Sequence, residues 1–176
     1  MIAAAVEQEK VDSFGIHYEA GCATNLAHIA DASFDKVLAV FLFNYLTVEQ
    51  MQQCMTEVIR VLRPQGQFIF SVPHPAFPYM RKADYPFYFQ VEETKYFSQR
   101  NHIFPGRIWK RDGTWLDVQL VHKTLEDYFE ALRRAGFQTL PIVQELRVTP
   151  EHVQLDEAFF QPLVDFPLHL AIQVVR

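Results

Sequence analysis

The sequence predicts an α/β domain built on a mostly parallel sheet, and three stretches carry that prediction. "SFDKVLAVFLFNYL" holds a near-continuous apolar run from Val37 to Phe43, as expected of a strand buried on both faces. Val48, Met51, Met55, Val58, Ile59 and Leu62 then recur at helical spacing. "QFIFSV" follows after a tight joint at Pro64 and Gly66. Strand, helix and strand with short joints make a βαβ unit, which implies parallel strands and a right-handed crossover.

The other elements read off in order. "MIAAAVEQEK" has the composition of the later turns of a helix, and no capping residue precedes Met1. "FGIHYEAG" alternates around Ile16 and Tyr18 and stops at Gly21, which suits a short strand. Thr47 is placed to cap the helix that follows, with Gln50 three residues on completing a capping box. From Pro73 to about Leu120 the periodicity weakens under five prolines, while "YPFYFQVEETKYF" and "TWLDVQLVH" offer strands. So aromatic a stretch reads as an inserted cap rather than a linker. Regular structure returns with "HKTLEDYFEALRRAGF": Thr124 caps it, Leu125, Tyr128, Phe129 and Leu132 form the stripe, and Gly136 ends it. Pro141 marks "FQTLPIVQELRV" as an edge strand, and "FPLHLAIQVV" closes the domain.

Composition narrows the function. The chain has 176 residues, 49% of them apolar, enough for one domain with a real core. A net charge of −5 with scattered Lys and Arg disfavours nucleic-acid binding. No apolar run approaches the length of a membrane span, and the opening residues lack the pattern of a secretion signal. Cys22 and Cys54 form no CxxC pattern, so a reducing cytoplasm is expected. No GxSxG, Walker or HExxH motif occurs, and the seven histidines show no ligand spacing, so no metal is expected.

"YEAGCATNLAHIADASFDKVLAVFLFNYL", then "EVIRVLRPQGQFIFSVPHP", then "HKTLEDYFEALRRAGF" resemble, in this order and spacing, the class I S-adenosylmethionine-dependent methyltransferases. The small-molecule branch is the most similar. The resemblance covers residues 1–73 and about 122–140. It implies an incomplete Rossmann-like methyltransferase sheet, mostly parallel with the last strand antiparallel. Residues 1–176 would be a single domain, with about 74–120 as the aromatic-rich inserted cap and substrate region. It also implies S-adenosyl-L-methionine as cofactor and a small-molecule acceptor, with oxygen, nitrogen and carbon all open as the acceptor atom.

Two departures from the family pattern matter. Members open with a strand and a GxGxG loop whose amides approach the cofactor, then a helix and a second strand ending in a ribose-binding acidic residue. This sequence, with six glycines, contains no GxGxG. Met1 aligns with the helix after that second strand, so the chain is expected to be N-terminally truncated and to bind the cofactor poorly by itself. It is therefore expected to be inactive alone, with methyl transfer a property of the full-length form. Cys22 also stands where the family has an aspartate near the adenine, and a thiol is a weak acceptor. With the family's first two strands missing, the Ile16 strand loses its neighbour and the Val37–Phe43 strand presents a bare apolar edge. A start at an internal methionine, a partner chain that supplies strands, and an evolved remnant all fit. The alternative to an enzyme is therefore a non-catalytic remnant that pairs its edge with a partner or, as a homodimer, with itself.

Methyl transfer asks a protein chiefly to align acceptor and donor, with a base where a proton must leave. In an open α/β sheet the reactants meet at the carboxyl ends of the strands. One end is "FLFNYL", where Phe43 and Asn44 would face the cofactor and Tyr45 the acceptor, with Cys22 and Ala23 bordering the adenine. The other is "SVPHP", where prolines fix His74 as a general base or positioning group; the plainer reading has it bonding the backbone of the turn. Tyr79, Tyr85, Tyr88 and His102 are candidates to line an acceptor pocket, or else they pack the cap.

Overall fold

The computed structural model describes residues 2–80, 85–92, 95–110 and 112–176, so the reading of Met1 lies outside the described residues. The chain runs α1 (Ile2–Val11), β1 (Phe34–Val40), α2 (Val48–Val61), β2 (Leu62–Pro73) and β3 (Phe87–Phe89). It continues β4 (Ile103–Trp109), β5 (Trp115–Val121), α3 (Leu125–Ala135), β6 (Ile142–Leu146), α4 (Pro150–Leu155), α5 (Glu157–Phe160) and β7 (His169–Val175).

The main sheet has the order β1-β2-β7-β6. Val37 to Val40 pair in parallel with Phe68 to Ser71, as the βαβ reading requires. β7 runs antiparallel to both β2 and β6, so three strands point one way and the last against them. Thr47 caps α2 by taking the Gln50 N–H at 3.2 Å, while the Gln50 side chain takes the Thr47 N–H at 2.9 Å. Thr124 and Asp127 build the same box on α3, and Gly136 ends it at φ +108°, a conformation glycine adopts without a Cβ penalty. Leu125, expected in the α3 stripe, is 38% exposed in the first turn of the helix.

One face of the sheet carries the core. Met51, Met55 and Val58 from α2 and Tyr128 and Leu132 from α3 meet Phe68, Phe70, Leu170 and Ile172. Fully burying each such side chain contributes roughly 1.5–3 kcal/mol. Alternation then sends His169 and Pro73, paired across β2 and β7, to the opposite face.

A second, antiparallel sheet, β3-β4-β5, makes the cap. Its interior joins Phe77, Phe87, Phe89, Phe104 and Leu120 to Leu163 and Leu168, with Phe159 and Phe160 of α5 packed alongside. β4 is not among the expected strands, since Pro105 is one of the prolines that weaken the periodicity there. Pro105 and Gly106 both fit: the Pro105 carbonyl takes the Gln90 N–H at 2.7 Å, and at Gly106 a Cβ would come within 2.5 Å of the Phe89 ring and the Tyr88 carbonyl.

The expected strand at "FGIHYEAG" does not form. No described strand lies beside it, Phe14 is 81% exposed, and the Glu9 carboxylate takes the N–H groups of Phe14 and Ile16 instead. Residues 22–33 are tied down from α2. Arg60 donates to the carbonyls of Leu26 and Ile29 and to Asp31, and Glu57 takes the Leu26 N–H. Among the described residues no strand pairs with the outer edge of β1, where Leu38 and Val40 are 67% and 58% exposed.

Candidate functional site

β1 and β2 end side by side, and the chain leaves each by a corner. After Val40, Phe41 adopts a φ of +51° while its N–H donates to the Ser71 carbonyl at 3.0 Å. A short 3-10 turn over Phe43–Tyr45 follows. Phe43 drives into the core, with ring centroids 5.1 Å from Phe70 and 6.1 Å from Phe68. That turn delivers Asn44 and Tyr45 to a cavity of about 280 Å³ between the sheet end and the cap.

The cavity is aromatic on nearly every side. Phe41 and Tyr45 come from the sheet end, Phe87 and Phe89 from the cap, and Phe159 and Phe160 from α5. Pro73 and His169 form part of the wall, and among the described residues no Asp, Glu, Lys or Arg lines it. The His169 ring meets the Phe41 ring edge-on at 4.8 Å and lies 6.2 Å from Phe87. Burial pushes its imidazole down to about 4, so it is neutral at neutral pH. Asn44 is 5% exposed, and its Oδ1 has no hydrogen-bond partner among the described residues.

The other sequence-selected residues lie around this cavity rather than in it. His74 sits at the corner after β2, where its Nδ1 takes the Ala76 N–H at 3.1 Å and its Nε2 lies 3.4 Å from Glu145. Burial lowers its pKa, opposed by Glu145. Tyr79 is inside the cap, its hydroxyl donating to Gln99 at 3.2 Å and pushed up to about 12 by burial. Tyr85 packs edge-on against Phe166, Tyr88 against Trp115, and His102 lines a separate small groove beside Gln99 and Phe104. Cys22 is exposed, its Sγ 3.1 Å from the Thr24 hydroxyl, and Ala23 packs on the main core. The cavity therefore gathers Asn44 and Tyr45 from the expected set. His169 was missed: it is one histidine at the start of β7, and only the neighbouring strands fix which face it takes.

Among the described residues no group of three His, Cys, Asp or Glu side chains could hold a metal, and no helix is long and apolar enough to cross a membrane.

The family described as "Methyltransferase domain" matches residues 1–70. The fold agrees with solved structures along nearly all of the chain. An S-adenosylmethionine-dependent methyltransferase from Mesorhizobium loti superposes with a TM-score of 0.63 at 21% identity, over 98% of this chain and 75% of that one. The chain has the class I S-adenosylmethionine-dependent methyltransferase fold.

Two further structures with this methyltransferase fold are similar. One is an S-adenosylmethionine-dependent methyltransferase from Clostridium acetobutylicum, with a TM-score of 0.64 at 12% identity, over 98% of this chain and 70% of that one. The other is the Burkholderia thailandensis 1,6-didemethyltoxoflavin-N1-methyltransferase, with a TM-score of 0.52 at 15% identity, over 98% of this chain and 56% of that one. It holds 1,6-didemethyltoxoflavin and S-adenosylhomocysteine. None of the curated proteins matches the sequence. S-adenosylmethionine is the cofactor of this fold family. None of the six glycines belongs to a GxGxG.

Proposed function

We propose that the protein takes part in methyl transfer from S-adenosylmethionine to a small molecule, and that the cavity at the carboxyl ends of β1 and β2 is the acceptor site. The observation that carries this is the position of that cavity. It opens where reactants meet in an open α/β sheet, and a separate aromatic cap roofs it. In this reading the cofactor supplies an activated methyl group, and Asn44, Phe43, Ala23 and Cys22 border it. Tyr45, half exposed at the cavity mouth, steers the acceptor. His74 is a positioning residue that fixes the corner leading into the cap, with Tyr79, Tyr85 and His102 shaping that cap. Without a GxGxG loop this chain binds the donor weakly, so the test uses donor at millimolar concentration. Incubation with a small-molecule extract should give S-adenosylhomocysteine and a methylated product in equal amounts. No S-adenosylhomocysteine above a boiled control would end the reading.

The bare outer edge of β1 favours a second reading, in which that edge pairs with another copy or a partner chain. Leu38 and Val40 stand well exposed on a strand with an open ladder edge. Light scattering distinguishes the cases. A dimer dissolved by Leu38→Lys supports edge pairing, and a monomer at high micromolar concentration refutes it.

A further inference from the structure

We infer that the cavity selects an uncharged, flat ligand of about two fused rings, whose polar edge hydrogen-bonds Asn44 and His169. The inference rests on the acceptor-site reading above and adds the chemical class of the occupant.

Size comes first. A cavity of about 150 Å³ is filled by one benzene ring, and this one holds about 280 Å³. Shape follows from the walls, where Phe41, Phe87, Phe89, Phe159 and Phe160 present ring faces and edges that suit a planar π-system. Charge follows from the described lining. An ionised group brought against it, among described residues that include no Asp, Glu, Lys or Arg, would lose its hydration and find no counter-ion there. Carboxylates and ammonium ions are therefore rejected.

Two groups then set orientation. The Asn44 carboxamide is at least nine-tenths buried, and its Oδ1 lacks a partner among the described residues. Buried amides are almost always hydrogen-bonded, so a ligand donor fits this vacancy in the bonding pattern. The His169 ring makes ring contacts with Phe41 and Phe87 and no hydrogen bond to any described residue. Held neutral by burial, it offers one donor and one acceptor nitrogen. A heterocycle that carries both an N–H or O–H and a carbonyl or ring nitrogen answers both groups.

The test titrates the full chain, without methyl donor, with quinolin-2-one, naphthalene, quinoline-2-carboxylate and tryptamine, followed by NMR shift changes. Quinolin-2-one should bind at least tenfold more tightly than the anion or the cation. Asn44→Leu and His169→Phe should each weaken quinolin-2-one severalfold without weakening naphthalene. Equal binding of a charged and a neutral ligand, or no binding of any, overturns the proposal. So does a parallel loss of naphthalene in a variant that remains folded by circular dichroism. Should a variant fail to fold, the ligand series on the unaltered chain decides alone. Since no donor is present, failure of methyl transfer and failure of this ligand class are read separately.

Discussion

The His169 ring meets the Phe41 ring at 4.8 Å with the ring planes 60° apart, joining the first residue of β7 to the corner that follows β1. Phe41 makes this contact from a left-handed backbone conformation that L side chains rarely adopt. Phe41→Ala removes the ring and keeps the strain, whereas Phe41→Gly removes both. Glycine should therefore be the more stable replacement by about 1 kcal/mol, the reverse of the usual order in regular structure. Urea midpoints of the two variants check it.

His169 makes stability depend on acid. Its folded pKa near 4 lies below the ordinary 6.5, so between those values the unfolded chain binds a proton that the folded chain refuses. Stability should fall as the pH drops from 6.5 to 4. Burial shifts His74 and His122 in the same direction, adding to the slope. Tyr45 shares the cavity, and Glu145, Arg147 and His152 lie along the adjoining groove. His169→Phe should flatten the curve, as followed by denaturant midpoints at pH 7, 5.5 and 4.5.

Lys123 acts at the other end of the scale. It is 1% exposed, its Nζ donates to the Val121 carbonyl at 3.0 Å, and burial brings its pKa to about 7 against the pull of Asp127 and Glu49. From pH 7 to 10.5 the unfolded chain holds the extra proton, so stability should rise with pH across that window. Lys123→Met should stabilise the protein by about 2 kcal/mol at pH 7, with the gain shrinking toward pH 10. Thermal melts at the two pH values give the comparison. Asp127 is also ion-paired with Arg100 at 2.6 Å.

Gly106 is where the cap is least tolerant. An alanine Cβ would press on the Phe89 ring and the Tyr88 carbonyl at 2.5 Å, and the carbonyl has no rotamer to escape into. Gly106→Ala should cost about 1–3 kcal/mol and disturb the near-ultraviolet signal of the cap aromatics. Far-ultraviolet helix content should hold, because α2 and α3 pack on the other sheet.

What the sequence revealed and what it hid divide along a physical line. β1, α2 and β2 were legible because an apolar run and a capping box are written in adjacent residues. β1 nonetheless ends at Val40 and buries only Ala39 of its own residues, not the whole Val37–Phe43 run on both faces. The parallel pairing followed from short joints, and the edge place of β6 from Pro141. β4 was illegible because the reasons for Pro105 and Gly106 lie in the strands beside them. "FGIHYEAG" misled in the opposite sense, since alternation makes a strand only where a neighbour completes the ladder. Asn44 and Tyr45 could be read from their place after β1. His169 could not, because a period of two says that residues alternate and leaves open which set faces the cavity.

The cavity walls come from separated stretches: the corner after β1, the paired ends of β2 and β7 at Pro73 and His169, the β3–β5 cap, and the turns around Phe159 and Phe160. The last two stand outside the four-stranded sheet. Ligand preference can therefore drift by exchanging roof residues, while the foundation that sets Asn44 and His169 is left as it is. An engineer wishing to retune this pocket would begin at Phe89, Ile108 and Phe160 and leave the floor alone.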